Sequence, residues 1–194
     1  MDNMASLKER ILALPTEEQE TRRAYYSKEE WETSWALHAR PFQVAPLGEW
    51  KVWSIYSPPG VGSTRAGAEW VADTLLENKG KPVTVLVYCG YPARMDRIRQ
   101  EIMGALQNRG VTDVHTAPVG VSIGLLLPWA ASVRFTGDSS DSLRGVRADY
   151  IWGDSVLRAG DIVRDHPQAE RFVFSDPARP AKHTLVSRAG DPRI

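Results

Sequence analysis

In the second quarter of the chain, the spacing of hydrophobic residues changes from that of a strand to that of a helix. Val52 and Ile55, together with their aromatic neighbours, alternate as in a short strand. Residues 64–78 then form a continuous run in which Val71 and Leu75 lie on one face of a helix. The pattern predicts a strand, a connecting loop and a helix, in that order.

The same alternation of strand and helix continues along the chain. Residues 83–88 are almost continuously apolar, which is typical of a strand buried on both faces. A helix is predicted over residues 93–108, and Gly110 ends it. Further strands are predicted at residues 131–136, 148–154 and 172–174. This order predicts an α/β fold in three layers with a mostly parallel central sheet.

The first forty residues predict helices alone. One helical signal covers residues 4–14, and Ser27 with Glu30 matches the capping box that begins another helix. A single helix after Ser27 would carry Trp31, Trp35 and His38.

Four further segments have weaker patterns. Residues 111–115 are interpreted as a short strand, and residues 121–129 are apolar but interrupted by glycine, so they receive no assignment. Residues 137–142 predict a polar turn, and residues 156–163 predict a helix.

The loop between the first strand and its helix has the frame of a phosphate-binding loop. Backbone N–H groups and a helix N-terminus together make an anion site. The pattern of such loops is G-x-x-x-x-G-K-[ST]. Aligned on Gly62 and Thr64, this chain has Ser57 in place of the first glycine and Ser63 in place of the lysine. On this loop alone, a purely structural turn is an equal alternative.

Two polar positions outside the loop, Asp154 and Gln43, are candidate partners of a nucleotide and its Mg²⁺. Asp154 ends a hydrophobic segment, where a carboxylate can hold Mg²⁺ through water opposite the phosphate loop. For a single aspartate, a cap of the following helix is the simpler explanation. Ser155 stands where an ATPase usually places the carboxylate that orients water. The amide of Gln43 offers the donor and acceptor that an adenine edge needs, but a surface glutamine is the alternative.

Composition restricts the function classes. The 194 residues have zero net charge, so any contact with nucleic acid must come from a local patch. The single cysteine, Cys89, excludes an internal disulfide and a multi-cysteine metal site, and no apolar run is long enough to cross a membrane. Basic residues cluster around the helix at 93–108, where interleaved acids favour a solvated face over a DNA-contacting patch. They are Arg94, Arg97, Arg99 and Arg109.

Several separated segments resemble the ATPase domain of large terminase subunits, the motors that package DNA into tailed-phage heads. The segments agree in order and spacing over residues 31–182. They are residues 39–43, 48–53, 64–71, 141–145, 150–154 and 172–180.

The resemblance implies a P-loop ATPase fold of the additional-strand type. It places Gln43 at the adenine and the loop at the phosphates. The implied nucleotide-binding residues of the loop are Gly60, Val61, Gly62, Ser63, Thr64 and Arg65. Thr64 and Asp154 are implied to bind Mg²⁺, and Ser175 and Asp176 to couple the site to motion.

The chain departs from the family at three charged positions. The loop lysine corresponds to Ser63, the loop arginine to Pro59 and the catalytic glutamate to Ser155. Phosphoryl transfer depends on charge stabilisation, so losing all three predicts very little hydrolysis. The family's nuclease domain is expected to have no counterpart here.

The first hypothesis is therefore a degenerate ATPase-like domain that binds ATP and Mg²⁺ weakly or not at all and acts as a regulatory partner. The alternatives are a working packaging ATPase completed by a partner subunit, and a vestigial domain that binds nothing.

The expected domains are a helical extension at residues 1–30, the ATPase-like domain at residues 31–182 and a flexible tail at residues 183–194. The expected partners are terminase subunits, the portal or double-stranded DNA. The expected location is the cytoplasm of a phage host, and no association with a membrane is expected. An oligomer is compatible with these expectations.

Overall fold

The computed structural model describes residues 5–58, 60–119, 122–137, 146–157, 159–176 and 185–187. The chain divides into two compact units, Met1–Ala45 and Pro46–Ile194. The domain limits suggested by the sequence, at residues 30 and 182, remain predictions.

The first unit is helical. Its helices are α1 (Leu7–Leu12), α2 (Thr16–Arg23), α3 (Lys28–Thr33) and α4 (Trp35–His38), followed by a 3-10 turn at Pro41–Gln43. The predicted capping box is confirmed, because the Glu30 N–H donates to Ser27 Oγ over 3.1 Å and the Ser27 N–H donates to the Glu30 carboxylate over 2.8 Å.

The single helix predicted after Ser27 is wrong, because Ser34 adopts extended backbone between α3 and α4. Trp31 and Leu37 are both buried in one hydrophobic cluster. On one straight helix, residues six apart would lie about 120° apart around the axis. The break at Ser34 lets both side chains enter the same cluster.

The second unit is built on a mixed sheet. Within the described residues its strands are β1 (Val52–Tyr56), β2 (Val83–Cys89), β3 (His115–Val119), β4 (Ser122–Leu126), β5 (Ala131–Gly137), β6 (Tyr150–Asp154), β7 (Arg171–Asp176) and β8 (Leu185–Ser187). Their order is β3-β4-β5-β2-β6-β7-β1-β8. The five central strands, from β5 to β1, pair in parallel, whereas β3, β4 and β8 pair antiparallel. The mostly parallel α/β sheet is therefore confirmed.

Helices cover both faces of this sheet. The helices of the second unit in the described residues are α5 (Ser63–Glu77), α6 (Met95–Gln107) and α7 (Ala159–Asp165). Neighbouring residues on a strand point to opposite faces. Trp152 on β6 meets Gly67 of α5, whereas Ile151 shares a buried cluster with Ile162 of α7. The predicted three layers are present.

Two predictions in the antiparallel region need correction. The strand predicted at residues 111–115 is wrong, because β3 begins at His115 and pairs with β4. The unassigned residues 121–129 contain β4. The limits of both strands are set by their pairing with each other. The hydrophobic pattern of a single segment does not indicate which strand it pairs with. Most of the predicted turn at residues 137–142 lies outside the described residues.

Two helices begin later than predicted. The helix expected from residue 93 starts with a 3-10 turn at Pro92–Arg94, and α6 follows from Met95. The helix expected over residues 156–163 is replaced by α7, which begins at Ala159. Ser155 has a φ of 56°, in the left-handed region, so the chain cannot enter a helix directly after β6.

The order of the central strands brings several chain ends together. β7 lies between β1 and β6, so one extra strand separates the loop-bearing strand from the strand that ends in Asp154. Ser175 on β7 is in register with Ile55 on one side and Asp154 on the other. Asp154 is also in register with Cys89 at the end of β2. The carboxyl ends of four parallel strands therefore form one edge, the usual ligand-binding edge of α/β sheets.

The contact between Gly67 and Trp152 predicts the cost of one added methyl group. A Cβ at Gly67 would lie 2.2 Å from the Trp152 ring, so alanine must displace a fully buried side chain. We expect Gly67→Ala to lower the free energy of unfolding by about 1–3 kcal/mol, measured by denaturant unfolding.

Gly104→Ala is the matched control, because Gly104 also lies inside a helix but a Cβ there meets nothing within 4 Å. This variant should raise stability by about 0.5–1 kcal/mol. Equal stability of the two variants would contradict the packing of α5 on β6.

Candidate functional site

The loop between β1 and α5 has backbone geometry that requires its glycines. Gly60 has a φ of 83° and Gly62 has a φ of 91°, both in the left-handed region that side chains disfavour. Gly62 is also the N-cap of α5. The two glycines quoted from the sequence are therefore backbone requirements of the loop, and Pro59 lies outside the described residues.

The start of α5 offers donors to an anion. The first N–H groups of a helix have no partner within the helix, and the aligned peptide dipoles add partial positive charge there. Gly62 has no side chain, and no side-chain cap hydrogen bond is present at this helix start in the described residues. Ser63 and Thr64, the first two helical residues, are both buried.

A second polar group precedes the loop. Ser57, directly after β1, is fully buried, and its hydroxyl has no hydrogen-bond partner among the described residues. An unpaired buried hydroxyl costs free energy, so most buried groups of this kind are paired. Within the described residues, Ser57 is therefore an unsatisfied polar group at the start of the loop.

Asp154 joins the loop helix to the sheet. Its side chain is fully buried, and its Oδ1 accepts hydrogen bonds from Thr64 Oγ1 over 2.9 Å and Ser175 Oγ over 2.8 Å. Trp152 Nε1 in turn donates to Ser175 Oγ over 3.0 Å. Side chains from α5, β6 and β7 thus form one buried hydrogen-bonded group, which we call the Asp154 network.

Arg94 brings a positive charge to the Asp154 network. Its Nη2 donates to Thr64 Oγ1 over 3.1 Å, and its Nη1 donates to Ser155 Oγ over 3.1 Å. Nη1 also lies 3.4 Å from Asp154 Oδ2, which makes an ion pair. The guanidinium therefore contacts three oxygen atoms at the edge of the sheet.

The solvated-face prediction is wrong for Arg94. The residue lies in the 3-10 turn before α6, and β2, which precedes that turn, lies beside β6. The side chain therefore reaches the buried Asp154, and only 31% of its surface stays exposed. Local periodicity holds no information on which strands are neighbours. The one available signal is that Arg94 closely follows a strand buried on both faces.

The other members of the arginine cluster differ among themselves. Arg109 pairs with Glu69 and Asp73, so the solvated-face prediction is wrong there too. Its carboxylate partners lie on α5, a contact between helices that sequence spacing does not reveal. The Arg97 side chain is 70% exposed and fits the prediction.

Arg65 follows Thr64 in the chain but is engaged along the helices. Its Nε donates to Glu69 over 2.6 Å, and its Nη1 pairs with Glu101 on α6 over 3.2 Å. These contacts direct its charge along α5 and α6, and its role at a nucleotide stays a prediction.

The loops after β2 and β6 approach each other closely. The Gly90 N–H donates to the Asp154 carbonyl over 2.9 Å, and a Cβ at Gly90 would lie 2.0 Å from the Ser155 carbonyl oxygen. Cys89, next to Gly90, donates its thiol to the Tyr91 carbonyl, and burial raises the pKa of that thiol. This side of the site is therefore held tightly and contains a neutral thiol.

In this arrangement, other protein groups already contact the oxygens of the residues implied to bind Mg²⁺. Mg²⁺ needs oxygen ligands at about 2.0–2.1 Å in octahedral geometry. Oδ1 of Asp154 already accepts two hydrogen bonds, and Oδ2 faces Arg94, which also contacts Thr64 Oγ1. In the described part of the chain, no group of three or more His, Cys, Asp or Glu residues could hold a metal ion.

Two other predicted residues are placed without a test of their roles. Gln43 lies in the first unit, is buried, and accepts the Arg40 N–H at Oε1 over 2.9 Å. Asp176 ends β7, where its backbone pairs with Tyr56 on β1. The adenine contact of Gln43 and the coupling role of Ser175 and Asp176 remain predictions.

Over the described ranges, no helix has the length and apolar character to cross a membrane.

Comparison with known proteins finds similarity only among solved structures. No protein-family model and no curated protein matches the chain. The large terminase ATPase domain of Thermus phage P74-26, as a point mutant, superposes with a TM-score of 0.47 at 12% identity over 67% of this chain. The large terminase of a thermophilic bacteriophage, in complex with ATP-gamma-S, gives 0.46 at 12% identity over 77%, and that of bacteriophage HK97 gives 0.45 at 11% identity over 77%.

These similarities cover only part of the other proteins. The matched region is 61% of the P74-26 chain, 37% of the chain bound to ATP-gamma-S and 32% of the HK97 chain. The similarity is therefore partial. At these identities and TM-scores it says nothing by itself about the activity of this chain.

The Asp154 network predicts a stability cost for loss of one hydroxyl. Ser175→Ala removes a donor to Asp154 and an acceptor of Trp152, leaving both buried groups short of a partner. We expect a loss of about 1–3 kcal/mol in the free energy of unfolding, measured by denaturant unfolding.

Ser132→Ala is the control, since Ser132 is half-buried on β5 and its hydroxyl makes one long contact of 3.5 Å with Thr84. This change should cost less than about 0.5 kcal/mol. If both serines prove equally dispensable, the Asp154 network is not a stabilising element.

Proposed function

We propose that this chain is a terminase-type ATPase-like domain that binds the phosphates of a nucleotide but hydrolyses them very slowly. In this proposal it acts as a binding or regulatory partner in phage DNA packaging. The observation that carries it is a loop with two left-handed glycines that leads into α5, whose Thr64 is hydrogen-bonded to Asp154.

Phosphate binding is supported by the backbone of this loop. Its glycines permit a turn that ends at the N-terminus of a 15-residue helix, and such an end attracts anions through N–H groups and the helix dipole. Ser57 adds a buried hydroxyl that has no partner among the described residues. None of these groups depends on the side chain at position 63.

Slow hydrolysis is supported by the neutral side chains at two positions. Ser63 occupies the position of the loop lysine, and Ser155 follows Asp154 where a carboxylate would orient water. Phosphoryl transfer is accelerated mainly by positioned charges, and removing one such group typically costs about a hundred- to a thousandfold in rate. The rate losses from groups that act together are not additive in free energy, so the combined loss is smaller than the product of the single losses.

A regulatory role follows from binding without rapid turnover. A nucleotide that is bound but not hydrolysed keeps shifting the population of the domain toward the conformation that binds it best. A packaging complex could use such a subunit as a fixed partner of active terminase subunits, the portal or double-stranded DNA.

The proposal predicts nucleotide binding that depends on the loop backbone. By calorimetry, ADP, ATP and pyrophosphate should bind, and Gly62→Ala should weaken each by at least about tenfold because the left-handed φ of 91° becomes strained. Turnover of ATP should stay below about 0.01 s⁻¹, a thousandfold under a typical enzyme.

Gly80→Ala is the matched control. Gly80 has a similar φ of 93°, a Cβ there meets nothing within 4 Å, and it follows the opposite end of α5. The control should lose similar stability and keep binding within about twofold.

The absence of heat with all three ligands would refute the proposed function in favour of a vestigial domain. Turnover near 10 s⁻¹, about the rate of a typical enzyme, by the isolated chain would refute the impairment. Turnover that appears only after addition of a terminase subunit or DNA would favour the working ATPase that a neighbour completes.

A further inference from the structure

Arg94 contacts the same side chains that the resemblance assigns to a divalent cation. Its guanidinium lies 3.1 Å from Thr64 Oγ1, 3.4 Å from Asp154 Oδ2 and 3.1 Å from Ser155 Oγ. These oxygens come from α5, from the end of β6 and from the residue after it. One side chain therefore bridges the two walls of the candidate site.

The charge of Asp154 requires a cation. Its side chain is 0% exposed, and a buried carboxylate is costly unless it is paired and hydrogen-bonded. In the described part of the chain, Arg94 is the residue that forms an ion pair with Asp154. The guanidinium therefore neutralises this carboxylate without any metal.

The nearby arginines do not offer an equivalent charge. Arg65 pairs with Glu69 and Glu101, and Arg109 pairs with Glu69 and Asp73. Both arginines are thus held among carboxylates of α5 and α6. Ser63, at the lysine position, has no charge.

Arg94 can hold Asp154 and still donate to a phosphate. A guanidinium has five N–H donors in a planar fork, and such forks bind phosphate oxygens in pairs. The contacts to the site oxygens use Nη1 and Nη2, and the side chain keeps 31% of its surface exposed. Capacity for a further acceptor therefore remains.

We infer that Arg94 supplies the positive charge of this site in place of both Mg²⁺ and the loop lysine, so that a nucleotide diphosphate or pyrophosphate binds without a metal. This inference rests on the proposed function and deepens it. Mg²⁺ would have to displace the guanidinium from Thr64 and Asp154, so the ion competes with Arg94 instead of assisting binding.

The inference predicts affinity that hardly depends on metal. Calorimetric titration of ADP and of pyrophosphate into the full chain, in Mg²⁺ and in EDTA, should give dissociation constants within about threefold of each other. Arg94→Ala should bind at least about tenfold more weakly in EDTA, because charge-assisted hydrogen bonds to the phosphate are lost. Added Mg²⁺ should restore part of that loss, since the variant leaves Thr64 and Asp154 open to the ion.

Two further variants separate this role from a structural one. Arg94→Lys keeps the charge without the fork, and its affinity in EDTA should lie between those of the wild type and Arg94→Ala. Arg97→Ala removes a neighbouring arginine that is 70% exposed and should match the wild type in both buffers. A purely structural role of Arg94 would weaken binding equally with and without Mg²⁺.

Several results would overturn the inference. One is wild-type binding that falls more than about tenfold in EDTA, which leaves the proposed function standing. Another is unchanged affinity of Arg94→Ala in EDTA. If Arg94→Ala does not fold, the comparison of buffers for the wild type and Arg94→Lys decides the question. Wild-type protein that binds neither ligand in either buffer would overturn the proposed function and this inference together.

Discussion

The buried carboxylate of Asp154 is the constraint on which the candidate site depends. It lies at the end of β6 with no exposed surface, so every oxygen must find a donor or a cation inside the protein. Thr64 reaches it from α5, Ser175 from β7 and Arg94 from the turn after β2. The interactions that satisfy one charge therefore also fix the helix start, the additional strand and the arginine relative to one another.

Steric requirements explain why the shape of the site does not depend on charged side chains at positions 63 and 155. Gly60 and Gly62 shape the loop through backbone conformation, and Gly90 permits the close approach of the neighbouring loop. These requirements are steric and unrelated to the transfer of a phosphate. A phosphate-loop geometry is thus compatible with Ser63 and Ser155, although the electrostatic contribution to hydrolysis would be small.

Much of the fold could be predicted because its signals are local. The spacing of apolar residues shows β1, α5 and β2, and the glycines between β1 and α5 indicate a loop of special backbone conformation. The place of Arg94 could not be predicted in this way. It follows from β2 lying beside β6, and strand order is a tertiary property that no single segment encodes. The break at Ser34 has a similar origin, since a shared cluster decides it.

The most direct test of this account is a crystal structure of the chain with ADP, grown in EDTA. The account predicts the diphosphate at the backbone N–H groups between Gly60 and Thr64, with the Arg94 guanidinium in contact with both a phosphate oxygen and Asp154. A diphosphate bound elsewhere would contradict it. So would an Arg94 side chain turned away from Asp154 while ADP occupies the loop.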